Sequence, residues 1–261
     1  GASGLAVAAL PELAAIPERR LWSEDVLAPG GAWAAERFVM TGRHAGDGLW
    51  GAPTGRDLRY RWLAGYGIRE GRLARLWRVR DSAAILRQIG RDPRAWAADS
   101  LTAEPLSAGG AGPASPGTMP PEDGWAASWA ELLDRAMEGA FGLFDDQYAP
   151  GAELCYPGGE LGTGPEAARA FWLGLRAGFP DAVFEIEDGI GLESPLMPPR
   201  AALRWRLTGK HVGWGPFGHP SGAAVTILGL SQAEFGPDGL RREWTLYDAG
   251  AVWRQIAARA G

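Results

Sequence analysis

One stretch of this chain occurs twice. Thr41-Gly42-Arg43-His44 can be set over Thr208-Gly209-Lys210-His211, and the two copies then run on without a gap. Pro53-Thr54-Gly55 falls on Pro220-Ser221-Gly222, Trp77 on Trp244, and Asp81 on Asp248. Arg87-Gln88-Ile89 falls on Arg254-Gln255-Ile256. Gly, Pro and Trp rarely coincide by chance. The repeat, 41–89 over 208–256, is also too distant for a solenoid unit, which recurs every ~20–50 residues. It implies two copies of one domain, and 261 residues accommodate two domains of ordinary size.

The first copy reads as a helix over 1–15, which Pro11 should kink or split. A strand over 20–27, a hairpin at Pro29-Gly30-Gly31 and a strand over 33–43 follow. A glycine-rich loop occupies 46–55, with strands over 58–69 and 73–80 around the Glu70-Gly71 turn. Asp81 then opens a helix over 82–89 that stops at Gly90. Residues 99–121 are dominated by Pro, Gly, Ser and Ala and read as a loose linker.

The second copy is longer at its front. An amphipathic helix is expected over 125–144, then a short strand over 152–156, the Pro157-Gly158-Gly159 turn, and a helix over 166–178 behind Pro165. Four strands follow over 182–190, 201–212, 223–235 and 240–247, and Asp248 opens the last helix. Glu24-Asp25 falls on Glu187-Asp188, which sets Gly1 over Gly164. The first copy thus has no counterpart of 125–163: either the natural chain extends further upstream or those residues were lost. The expected organisation is an N-terminally incomplete domain over 1–98, a linker over 99–121 and a complete domain over 122–261.

Hydrophobic residues make up 46% and charged residues 22%, the balance of a globular protein with a real core. A net charge of −5 argues against a nucleic-acid partner. Cys155 is the only cysteine, and His44, His211 and His219 show no metal-ligand spacing. No apolar run is long enough to span a bilayer, and residues 1–10 lack the basic start of a signal peptide. The expectation is a cytoplasmic protein with no membrane partner, metal or cofactor.

The order helix, short strand, helix, four long strands, short helix resembles the nuclear transport factor 2-like cone. Locally the pattern is similar to the SnoaL-like polyketide cyclase family. The residues that carry this are Phe179-Pro180-Asp181, Glu187-Asp188, Thr208-Gly209-Lys210-His211, Pro220-Ser221-Gly222, and Glu243-Trp244 followed by Asp248 and Gln255. The resemblance implies an α+β fold of two cone-shaped domains, each a curved antiparallel sheet with helices on its concave side. It also implies ring closure by intramolecular aldol condensation, with an acidic residue as general acid/base and no metal or cofactor. The family's catalytic aspartate matches Asp248, and Asp81 in the first copy. A family pocket pair, an amide and an imidazole, matches Gln232 and Glu234, so a carboxyl replaces the imidazole; the first copy has Gly65 and Gly67 there.

Each candidate also has a structural reading. Asp248 could shuttle a proton if Trp244, Leu246 and Tyr247 form an apolar wall that raises its pKa. It also stands where an N-cap belongs, and capping is the favoured role, more strongly so for Asp81. Gln232 and Glu234 share one strand face, which is either the pocket beside Asp248 or a solvent face behind a core of Ala233 and Phe235. His44 and His211 recur together and suit a strand-end histidine bonded to a loop, while His219 is a pocket-mouth or loop residue. Tyr156, Trp129, Trp172, Trp205, Trp244 and His211 are candidates to line an apolar ligand pocket, although tryptophan more often fills core.

Two functions stay open. In one, the second domain performs cofactor-free acid/base chemistry on a small apolar or carbonyl-containing, polyketide-like substrate. In the other, the chain is a non-catalytic binding protein or structural pseudo-dimer. In either case the sheets should pack through the faces away from the pocket, with Trp62 or Trp205 among the buried contacts.

Overall fold

A computed structural model of the chain describes residues 10–103 and 124–260. Residues 10–15 are helical (α1), Pro11 included; the rest of the helix expected over 1–15 lies outside the described residues. Four strands follow as an antiparallel meander: β1 (Arg20–Leu27), β2 (Trp33–Arg43), β3 (Asp57–Arg69) and β4 (Arg72–Arg80). Helix α2 (Ser82–Ile89) starts at Asp81, whose carboxylate accepts the Ala84 N–H, and ends at Gly90, which takes the left-handed conformation (φ 75°).

A helix absent from the expectation, α3 (Pro93–Ala103), comes next, and residues 99–103 are its end rather than the start of the linker. Its buried residues, Trp96 and Ala97, are too few to give a periodic signal. It is held by the Trp96 indole, which donates to the Leu49 carbonyl at 3.0 Å, and by packing along the last helix of the chain.

The second half runs α4 (Gly124–Met137), α5 (Leu143–Gln147), β5 (Tyr148–Tyr156), β6 (Glu160–Thr163) and α6 (Gly164–Gly178). It continues through β7 (Val183–Ser194), β8 (Met197–Lys210), β9 (Ala224–Gly236), β10 (Gly239–Tyr247) and α7 (Ala249–Ala260). The expected front helix therefore stops at Met137. Gly139 follows at φ 115°, which no helix can continue. Tyr148, expected outside the sheet, is the first residue of β5. The sheet order is β6-β5-β10-β9-β8-β7, and β5 runs parallel to β10, so this sheet is mixed rather than antiparallel throughout. Among the described residues, no helix is long and apolar enough to cross a membrane.

The repeat holds residue for residue in the ladders. Phe38 faces Trp62 as Trp205 faces Gly229, and Gly65 faces Trp77 as Gln232 faces Trp244. Even the bulge recurs, between Ser23 and Asp25 in β1 and between Ile186 and Asp188 in β7. The bulged residues, Glu24 and Glu187, each meet two arginines: Arg37 and Arg61, and Arg204 and Arg206. Among the described residues, β4 has no strand on the edge where β10 carries β5.

Strand alternation sends each sheet's side chains to two faces. The inner face packs on helices of its own half: Phe38, Met40, Tyr60 and Trp62 with Ile85 and Leu86 in the first, Trp205, Ala233 and Phe235 with Trp129 and Trp172 in the second. The outer faces share one core, Leu27, Trp33, Leu63 and Val79 meeting Ile190, Ala202, Leu230 and Leu246. Arg37 stacks 3.4 Å over the Trp244 ring, and its repeat counterpart Arg204 stacks 4.1 Å over Trp77. Trp62 and Trp205 do not take part in the contact between sheets, contrary to expectation. They lie on inner faces, and Trp77 and Trp244 occupy the contact instead.

Candidate functional site

On the inner face of β10 lie Glu243, Thr245 and Tyr247; Trp244 and Leu246 alternate with them and point to the other sheet. Glu243 is fully buried. Its Oε2 accepts from the Tyr148 hydroxyl at 2.8 Å and the Tyr156 hydroxyl at 3.0 Å, the two tyrosines coming from opposite ends of β5. Its Oε1 is 2.6 Å from the Thr245 hydroxyl, which is 2.7 Å from Ser231, and Ser231 accepts the Trp205 indole N–H at 2.9 Å. The parallel pairing of β5 with β10 brings the tyrosines to the carboxyl, since Leu154 and Cys155 sit beside Glu243 and Trp244.

Helices α4 and α6 close the other side. The Trp172 indole N–H faces Glu243 and that of Trp129 faces Tyr148, neither closing a hydrogen bond. Phe171 stacks on Tyr156 with ring centres 3.8 Å apart, and Trp172 meets Trp205 at 5.5 Å. Four of the residues expected to line a pocket, Tyr156, Trp129, Trp172 and Trp205, thus converge around one carboxyl.

None of the hydrogen-bond partners of Glu243 is charged. Burial pushes its pKa up, and the bonds from Thr245, Tyr148 and Tyr156 hold it down only in part. Burial also pushes both tyrosines well above the ordinary phenol value, and the Glu243 charge adds to this. The phenols are therefore fixed as neutral donors, while the carboxyl is the group that can gain or lose a proton.

Asp248 is placed elsewhere. Its carboxylate accepts the Ala251 N–H at 3.1 Å, as an N-cap does, and bonds the Ser82 hydroxyl of the first half; Arg80 lies 3.6 Å away. Asp81 caps α2 and also accepts the N–H groups of Gly158 and Gly159, at 2.7 and 2.9 Å, from the β5–β6 turn. Burial pushes Asp81 up, the three backbone donors hold it down, and the nearby Asp248 charge adds to the rise. Both family-matched aspartates thus sit at the junction of the halves with their carboxylates engaged.

Gln232 and Glu234 do not reach Glu243 or Asp248. They lie on the outer face of β9 with Leu230, while Ala233 and Phe235 fill the inner core. The face expected to be pocket or solvent is instead covered by the first sheet: Gln232 is buried and accepts from Arg37 at 2.9 Å. Glu234 pairs with Arg242 at 3.4 Å. Trp244, a pocket candidate, lies under Arg37 in the same contact. Gly65 leaves the space that Trp33 fills, since a Cβ there would meet the indole at 3.1 Å.

His44 and His211 are fully buried, each bonding a loop hydroxyl through Nδ1: Thr54 at 3.0 Å and Ser221 at 3.1 Å. Burial lowers the pKa of both. His211 packs against Phe179 and Phe217 and makes no contact with Glu243. His219 is exposed and lies tilted against Trp214, with ring centres 4.1 Å apart. Among the described residues, no group of His, Cys, Asp and Glu has a metal-holding arrangement.

Glu243 was visible in the sequence only as part of a family pattern, and Tyr148 not at all. The signal was the alternation in β10: Glu243 shares parity with Tyr247 rather than with the outward Trp244 and Leu246, so a carboxyl falls on the apolar inner face.

The family model of SnoaL-like polyketide cyclases matches residues 1–89 and 128–256. Among solved structures, the chain is similar to a protein described as a SnoaL-like polyketide cyclase from Jannaschia sp. CCS1 (22% identity, 50% of this chain and 91% of that one, TM-score 0.44). It is also similar to a SnoaL-like polyketide cyclase from Agrobacterium tumefaciens (22% identity, 50% and 95%, TM-score 0.39) and to TsrD from Streptomyces laurentii (20%, 49% and 90%, TM-score 0.41). No curated protein matches the chain.

Proposed function

Because the chain belongs to the SnoaL-like polyketide cyclase family in both of its halves, we propose that the second half performs cofactor-free acid/base chemistry on a small carbonyl compound, with Glu243 as the proton carrier. The observation that supports this is a fully buried carboxyl whose partners are all neutral. A group so placed returns readily to its protonated form, which suits a base that must later act as an acid. Glu243 would take a proton from the carbon beside a carbonyl, and the enolate would attack a second carbonyl of the same molecule. The proton would then go to the resulting alkoxide. Tyr148 and Tyr156 would donate to the oxygen on which charge develops. The aromatic inner face would take the apolar body of the substrate.

The first half, in this reading, is a structural partner. It has Leu76 at the position of Glu243, and its outer face meets that of the second half through the reciprocal Arg37–Trp244 and Arg204–Trp77 stacks. The two halves would act as a covalent pseudo-dimer within one chain. Two observations favour the non-catalytic rival: Asp81 and Asp248 both cap helices, and aromatic side chains close over Glu243.

Deuterium exchange at carbons beside a ketone, followed by NMR in D2O over a panel of small ketones and diketones, separates the readings. Wild-type protein should accelerate exchange, and Glu243→Gln should lose it by about a hundredfold. Asp248→Asn should retain it. Loss in Asp248→Asn with retention in Glu243→Gln would return the role to the aspartate, and no acceleration by wild type would support the rival.

A further inference from the structure

We propose that a cleft of about 490 Å³ at the junction of the first half with α7 binds a small organic carboxylate with an apolar body. The site is separate from Glu243 and does not rest on the acid/base reading. Its lining includes Leu49, Gly51, Arg91, Trp96, Asp99 and Arg254. The volume lies within the range of small-molecule sites, roughly 300–1,000 Å³.

Leu49, half-buried, supplies an apolar wall, and the almost wholly buried Trp96 closes the floor. The Trp96 ring lies 5.4 Å from that of the fully buried Trp50 and its N–H is tied to the Leu49 carbonyl, so the floor is rigid and presents no indole donor. Arg91 supplies the charge. Its guanidinium lies against Gly51, where an added Cβ would stand 2.7–2.8 Å from the guanidinium atoms. Gly51 also holds φ +85°, so the backbone there suits glycine twice over. Among the described residues, no carboxylate lies within ion-pair distance of Arg91.

The charged lining is two arginines, Arg91 and Arg254, against one carboxylate, Asp99, which leaves the cleft net positive. Arg91 is close enough to depress the pKa of the buried His44. A half-buried guanidinium beside an apolar wall takes a carboxylate in two parallel N–H···O bonds while the apolar body of the ligand lies against Leu49. The repeat provides a control within the molecule. At the positions of Leu49 and Arg91 the second copy has Pro216 and Ala258, so it cannot form the same cleft.

Calorimetric titration of the full chain with benzoate, phenylacetate and 4-phenylbutyrate tests this, with benzamide as the neutral control. At least one acid should bind saturably, and benzamide about tenfold more weakly than benzoate. Arg91→Gln should weaken acid binding about tenfold with an unchanged melting temperature, and Arg91→Lys should restore part of it. Gly51→Ala, which displaces the guanidinium, should weaken binding too. The proposal is overturned if none of the three acids saturates wild type up to roughly 10 mM. It is equally overturned if Arg91→Gln binds as tightly as wild type.

Discussion

At equivalent points of the two sheets stand Leu76 and Glu243, and the two inner faces handle buried charge in opposite ways. The first half does bury a carboxylate, Glu12 of α1, but gives it a cation: Arg80 binds it at 3.1 Å, and Tyr60 donates at 2.8 Å. Arg80 also lies 4.8 Å over Trp50 and 3.6 Å from Asp248, so it ties the first core to the junction. Glu243 has hydroxyls only. A buried ion pair is fixed, because removing either member strands the other. A carboxyl among neutral donors keeps the freedom to change protonation. One fold and one register thus hold an ion-paired carboxylate in one copy and a carboxyl with neutral partners in the other.

The largest expected effect concerns how each copy fills its inner face. The cross-strand pair is Phe38–Trp62 in the first sheet and Trp205–Gly229 in the second, so the tryptophan has changed strands. A Cβ on Gly229 would fall inside the Trp205 indole. Gly229→Ala should therefore cost about 3 kcal/mol in urea unfolding, near the upper end for overpacking. Adding Trp205→Phe, which imitates the first copy, should recover most of it. A neutral Gly229→Ala would mean that the second core yields where the register says it cannot.

A smaller difference is expected at the two caps. Asp81 accepts three backbone N–H groups, two of them from the β5–β6 turn, whereas Asp248 accepts one and leans on Ser82 and Arg80. Among the described residues, no turn of the first half brings backbone N–H groups to Asp248 as the β5–β6 turn does to Asp81. Asp81→Asn turns an amide donor toward backbone donors and should cost roughly 2 kcal/mol. Asp248→Asn should cost about 1 kcal/mol. Equal losses in chemical denaturation would erase this part of the asymmetry.

The repeat made the fold legible. Strands over 20–27 and 33–43 and the helix over 82–89 fall where turn and cap chemistry places them, at Pro29-Gly30-Gly31, Asp81 and Gly90. Faces were harder. Gln232 and Glu234 alternate as a pocket or wet face would, yet a second sheet covers that side, and a sheet buried on both faces gives alternation no solvent side to point to. Helix α3 and strand β6 were illegible because a short element held by one buried tryptophan, or by pairing alone, has no period of its own. The site was half legible: its aromatic wall was named, but its carboxyl depends on β5 lying parallel to β10, a pairing between distant segments that local pattern does not encode.

The last expected effect tests the proton directly. The folded Glu243 has a pKa above the ordinary 4.5, so between that value and the raised one the folded chain holds a proton that the unfolded chain has released. Its contribution is complete below about pH 4.5 and is lost as pH rises through the raised value. The buried histidines act in the opposite sense and in both copies. With pKa values below the ordinary 6.5, His44 and His211 contribute fully above that value and lose their contribution as pH falls below it. Wild-type stability therefore mixes two opposing slopes, and Glu243→Gln removes one of them. The stability of wild type relative to Glu243→Gln, from urea unfolding at several pH values between 4 and 8, should fall with rising pH by at most about 1.4 kcal/mol per unit. A flat difference would mean that Glu243 titrates alike folded and unfolded. The carboxyl would then be a fixed structural charge like Glu12, and the contrast between the two inner faces would fail where the proposed chemistry depends on it.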